Sequence, residues 1–162
     1  GGSIVKEGDK LVTAFKNASY WSNERHWKWA TEPNDREKAS FLKENILPIK
    51  ESGQLKFIES EGQHFPDNIV IRQVFGHTEA MMLPQISYKG KTILYMADLL
   101  PSAGHIPIPY IMGYDMFPLT TLNEKKSFLY NELAGNAGRF SFLQERFPRP
   151  VPGNFCSARP VF

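Results

Sequence analysis

Two strand-like runs that each stop at a metal-capable side chain constrain this chain more than any other feature. The stretch Val70 to Asp98 reads VIRQVFGHTEAMMLPQISYKGKTILYMAD. A β-rich apolar run from Ile69 to Phe75 stops at Gly76, and His77 and Thr78 follow. A second strand-like run, a Lys89-Gly90 turn and a third run then lead to Asp98. Glycine ahead of a histidine lets the backbone turn sharply where a strand runs out, so the imidazole can project past the sheet edge. Thr92 to Met96 alternates poorly and reads as a strand buried on both faces, which places Asp98 at the lip of a packed sheet. On the residues alone, ordinary turn positions with local hydrogen bonds remain the plainer reading of this His and Asp.

At 162 residues the chain is long enough for one domain with a real core, burying roughly 70% of the unfolded surface. Hydrophobic content of 41% and charged content of 22% are ordinary for a globular protein. A net charge of +2 is too small to imply a nucleic-acid partner. The single Cys156 excludes an internal disulfide. No apolar run reaches the ~18 residues of a membrane span, so no membrane partner is expected; the location is left unknown, with the cytoplasm favoured.

Along the chain, Leu11 to Phe15 is a short strand candidate. Tyr20, Trp21, Trp27 and Trp29 interleave with Arg25, His26 and Lys28. That pattern could stack on bases or sugars, but aromatics this dense ahead of a helix more often wedge it against a sheet or line a pocket mouth. The Pro33-Asn34-Asp35 stretch predicts a helix start, with Phe41, Leu42, Ile46 and Ile49 as its apolar stripe and Pro48 as a kink or end. Leu55 to Ile58 predicts a strand, and His64 reads as a solvated loop histidine. After Asp98, three prolines and a glycine between Leu99 and Tyr110 predict a stiff loop. His105 on it reads either as a histidine packed under the loop or as a pocket-wall group that supports a metal ligand. Tyr110, Met112, Tyr114 and Met116 would line an apolar cleft if they face one way, with core packing as the alternative. Thr121-x-x-Glu124 has the capping-box pattern, with Phe128, Leu129 and Leu133 as the apolar face of the helix it starts.

Gly76-His77-Thr78, the apolar segment, Gly90-Lys91, a hydrophobic strand and Ala97-Asp98-Leu99-Leu100-Pro101 together resemble the second half of the metallo-β-lactamase fold. The resemblance extends from Gly1 to about Glu132, and Phe15-Lys16-Asn17-Ala18 is similar to a stretch that follows the metal loop in hydrolytic branches. It implies that His77 binds one metal and that Asp98 bridges two, while the stiffness of the loop after Asp98 makes His105 and Tyr110 candidates for the substrate pocket or for supporting the ligands. The family's His-x-His-x-Asp-His loop normally precedes a Gly-Gly pair, and the chain begins Gly1-Gly2-Ser3, so the sequence is expected to start just after that loop. The final family ligand, a His, has Arg146 near its place, and a guanidinium is a permanent cation that cannot bind a metal.

The implied fold is a mixed α/β, partial αββα sandwich. One sheet would be nearly complete, from strands near Leu55, Ile69, Met82, Thr92 and Phe140, with flanking helices at Asp35 and Leu122. Residues 1–147 would form this partial domain, followed by an irregular Pro/Arg-rich tail over 148–162. The implied activity is zinc-dependent hydrolysis of a small-molecule ester, lactone or related substrate, using one or two ions in the intact fold and weak in this chain by itself. A degenerate non-catalytic paralogue and a small-molecule or nucleic-acid binding module are the alternatives. Metal content separates the first reading from both.

Overall fold

The strand-forming runs around His77 become the largest sheet among the described residues. The computed structural model describes residues 2–59, 68–132 and 140–143. His64, Arg146 and the 148–162 tail lie outside the described residues. The described part divides into two units, one reaching to Ile58 and the other running from Glu59 onward. Among the described residues no helix is long and apolar enough to cross a membrane.

In the first unit β1 (Ile4–Glu7) and β2 (Lys10–Thr13) form an antiparallel hairpin. β3 (Tyr20–Ser22) is followed by helix α1 (Glu24–Thr31), whose start is capped by Asn23 accepting from the His26 amide at 2.8 Å. Trp27 and Trp29 thus lie within the helix, while Tyr20 and Trp21 sit on the strand just ahead of it. Trp27 packs edge-on against Phe57, with centroids 6.3 Å apart. The helix expected from Asp35 is absent: residues 35–40 are turns. Asn34 Oδ1 accepts from the Arg36 and Glu37 amides as an N-cap does, and its carbonyl accepts from the Lys38 amide at 3.0 Å, so the expected cap forms but the turn it starts is not continued as a helix. The Glu37 carboxylate is held by Trp29 Nε1 at 2.6 Å and Asn34 Nδ2 at 2.7 Å. Only a short α2 (Leu47–Glu51) forms, with Pro48 in its first turn, where a missing N–H costs nothing. β4 (Leu55–Phe57) pairs in parallel with β3, Tyr20 opposite Leu55. The strand at Leu55 therefore belongs to a different sheet from the one expected.

In the second unit β5 (Ile69–Val74), β6 (Met81–Tyr88), β7 (Lys91–Tyr95) and β8 (Phe140–Leu143) form one sheet in sequence order. β5, β6 and β7 are antiparallel neighbours, while β8 joins β7 in parallel, Thr92 opposite Phe140. The turn between β6 and β7 is Lys89-Gly90, with φ of +49° and +73°. Two positive values match the twist of a two-residue hairpin. Val74, Met81, Leu83, Leu94, Met96, Leu99 and Leu100 make the core. Leu83 and Leu94 are fully buried, and each such side chain contributes about 1.5–3 kcal/mol.

Helix α3 (Pro118–Lys126) crosses the end of this sheet where β5 exits and continues into a π-helical turn over Ser127–Glu132. Its start differs from the capping-box expectation, since it begins at Pro118 with no side-chain cap. Thr121 lies inside the helix, buried. The glycine before His77 also has a different reason from the one expected. Gly76 does not have a positive φ, but a Cβ there would run into the backbone N and Cα of Thr121, so only glycine lets the helix backbone approach this closely. Gly76→Ala is expected to destabilise the protein by about 3 kcal/mol or more, measured by urea denaturation. A loss below about 1 kcal/mol would show that the contact is easily relieved.

Candidate metal centre

The loop 75–80 joins β5 to β6, and its backbone polar groups are taken up by the segment leading into α3 and by α3 itself. The Glu124 carboxylate accepts from the Phe75 amide at 2.6 Å and the Gly76 amide at 3.0 Å. In return, the Phe117 and Met116 amides donate to the Gly76 and His77 carbonyls at 2.8 and 3.1 Å. Four backbone groups beside His77 are therefore fixed from residues far along the chain. Burial pushes the Glu124 carboxyl up, the two amides pull it down, and the charge of Asp115 raises it, leaving it above its ordinary value.

His77 is itself buried, 7% exposed, and lies between two carboxylates. Its Nδ1 is 2.9 Å from Oδ1 of Asp115, which is 3% exposed. Its Nε2 is 3.4 Å from Oδ2 of Asp98. Because a carboxylate oxygen accepts, Nδ1 carries the proton and donates, which leaves Nε2 as the nitrogen turned toward Asp98. A separation of 3.4 Å is long for a charge-assisted hydrogen bond. It matches two ligands sharing one tetrahedral zinc, which bonds of about 2.0–2.2 Å place roughly 3.3–3.6 Å apart. A carboxylate on the far nitrogen of an imidazole is also the usual support of a metal-binding histidine. The two donors fit zinc as part of a ligand set. They do not complete one, since the described residues contain no group of three or more His, Cys, Asp or Glu side chains able to hold a metal.

Asp98 reaches this position through a strained backbone. The short 3-10 turn Ala97–Leu99 follows β7, and Ala97 has φ of +41°, a left-handed value that costs a non-glycine residue on the order of 1 kcal/mol.

No family model matches the sequence, and no curated protein is similar to it. Among solved structures, a probable metal-dependent hydrolase from Staphylococcus aureus is similar to this chain with a TM-score of 0.71 and 22% identity, over 82% of this chain and 46% of that one. AidC, a dizinc quorum-quenching lactonase in complex with a product, has a TM-score of 0.59 and 21% identity, over 80% and 49%. AbOPH, a hydrolase in the beta lactamase superfamily, has a TM-score of 0.63 and 19% identity, over 81% and 49%. The chain has part of the metallo-β-lactamase fold. It spans about half the length of the metallo-β-lactamase-fold structures it matches.

Within this fold, the structure brings two of the four sequence-predicted site residues together, His77 and Asp98. The other two are engaged differently. His105, in the 3-10 turn Ala103–His105, has its Nδ1 2.7 Å from Ser102 Oγ. Tyr110 is 61% exposed, and its carbonyl accepts from Lys125. Met112 is buried whereas Tyr110 and Tyr114 are exposed, so Tyr110, Met112, Tyr114 and Met116 do not share one face. Tyr114 instead packs edge-on against the His77 ring, with centroids 6.2 Å apart.

Asp115 and Glu124 bond to His77 and to its loop, and the sequence pattern places neither of them there. The available signal for Asp115 is a lone carboxylate inside the apolar run IMGYDMF, where a charge must find a partner. Its Oδ2, like Thr78 Oγ1, is buried without a hydrogen-bond partner among the described residues.

Burial by itself would lower the His77 imidazole. The hydrogen bond to Asp115, the close approach of Asp98 and the charges of both carboxylates outweigh it and push the pKa up to about 9. The raised value means that the imidazolium stabilises the zinc-free fold fully below pH about 6.5, the unfolded value, and that this contribution disappears as pH rises through about 9. Urea denaturation of zinc-free protein should show a loss on the order of 3 kcal/mol between pH 6 and 9.5, with a flatter profile for Asp115→Asn. A flat wild-type profile across that window contradicts the geometry described for His77.

Proposed function

We propose that this chain carries part of the metal site of a metal-dependent hydrolase that acts on a small-molecule ester or lactone. The observation behind this reading is His77 held between buried Asp115 on Nδ1 and Asp98 on Nε2. His77 and Asp98 would hold the ion. Asp115 keeps the proton on Nδ1, so that Nε2 presents a lone pair, and the backbone bonds from Glu124, Met116 and Phe117 keep the ring from turning away. Zinc held by His77 and Asp98 would supply Lewis acidity and lower the pKa of a bound water, the chemistry that ester or lactone hydrolysis needs. The similarity in fold to a dizinc lactonase supports zinc and a lactone or ester substrate.

A catalytic zinc takes about three protein ligands, and this pair provides two. The chain by itself should hold zinc weakly and turn over little, while a chain lengthened upstream by a His-x-His-x-Asp-His loop gains ligands and activity. Because His77 is protonated near neutral pH without metal, zinc uptake should release protons and tighten with rising pH.

The test is zinc per chain after dialysis, together with lactone and ester turnover, for the chain, its lengthened form, His77→Ala and Asp98→Asn. In the lengthened form, stoichiometric zinc is expected, falling at least about tenfold in affinity with either substitution. Zinc binding that neither substitution disturbs would assign the metal to other residues. A lengthened chain that takes up no zinc would favour a non-catalytic paralogue.

A further inference from the structure

Lys125 lies on α3 with no exposed surface, and the metal-site reading gives it no task. Its ammonium donates to the carbonyls of Pro107, Ile108 and Tyr110 at 2.6, 3.2 and 2.7 Å. An ammonium has three donors, and here each has an acceptor. Among the described residues no carboxylate pairs with this charge; burial lowers its pKa.

We propose that Lys125 is a positioning residue: its ammonium is a tethered internal cation that fixes the turn 107–110, and with it the loop running from Asp98 to Asp115. That loop leaves the sheet at one carboxylate beside His77 and returns at the other, so its neck is the candidate metal centre. Its sequence makes an outside donor necessary. Pro101, Pro107 and Pro109 have no N–H to give, and inside the turn the Tyr110 amide already donates to the Pro107 carbonyl at 3.0 Å. Three carbonyl dipoles aimed at one point repel each other unless a cation sits among them, as in cation sites built from backbone carbonyls. A lysine reaching in from α3 meets that need and ties the loop to the same helix that holds the Phe75 and Gly76 amides through Glu124. One helix thus sets both the histidine loop and the loop between its two carboxylates.

The inference concerns loop order and is read on zinc-free protein, so it stands or falls separately from the hydrolase reading. Amide hydrogen exchange is measured on the chain and on Lys125→Met and Lys125→Ala. Exchange at the Tyr110, Asp115 and Met116 amides should accelerate about tenfold or more in both variants, while the amides of β5 to β7 stay protected. Methylammonium should restore protection in Lys125→Ala by occupying the carbonyl cradle, and tetramethylammonium at the same ionic strength should not, because it has no N–H to donate. If Lys125→Ala does not fold alone, circular dichroism with the two cations gives the same comparison. Wild-type protection of the loop in Lys125→Met overturns the proposal. So does a Lys125→Ala variant on which the two cations act alike, or on which methylammonium has no effect.

Discussion

Everything around His77 depends on the backbone of α3 meeting the backbone of Gly76 with no side chain between them. At that distance Glu124 can take two amides of the histidine loop, and residues 116 and 117 can donate to two of its carbonyls. A larger residue at position 76 would push the helix away and break the set together. The loop would then be left with buried, unpaired backbone groups at about 1–3 kcal/mol each. The glycine therefore acts on the site through the helix it admits, without contact to the imidazole itself.

The second consequence is electrostatic. Asp115 enters from the residues just before α3, and Asp98 from the strained turn after β7. Both carboxylates converge on one buried ring. Placing that much charge there is costly unless each group is matched. The pairing of Nδ1 with Asp115 provides one match. The Nε2 side, where Asp98 stands 3.4 Å away, is geometrically suited to a cation between the two donors. A positive φ at Ala97 is the kind of local strain that persists where surrounding contacts dictate a side chain's position.

The antiparallel strands of the larger sheet are legible in the sequence because Ile69–Val74 and the Lys89-Gly90 turn carry their information locally, in side-chain pattern and turn chemistry. The His77 and Asp98 positions are legible for the same reason, as residues at strand ends. Asp115 is not, because its role exists only across 38 residues of chain, in a segment with no period to read. Glu124 illustrates a subtler difficulty: its spacing from Thr121 satisfies a local capping pattern, yet its carboxylate serves a loop 48 residues earlier. In the first unit, the acidic and amide side chains at 34–37 read as a helix start. Asn34 does cap a turn there and Trp29 binds the Glu37 carboxylate, but residues 35–40 close as turns. For Asp115 and Glu124 the deciding hydrogen bond is non-local, and no local pattern or propensity, worth only tenths of a kcal/mol per residue, can announce it.

The central claim, that Asp115 holds the proton on Nδ1 so that Nε2 is the metal-facing atom, is tested most directly by nitrogen NMR of the His77 ring as zinc is added near neutral pH. If it is correct, Nδ1 keeps its proton throughout, slow to exchange with solvent, while Nε2 loses its proton and shifts as zinc binds. Loss of the Nδ1 proton, or an Nε2–H that persists at saturating zinc, would contradict it.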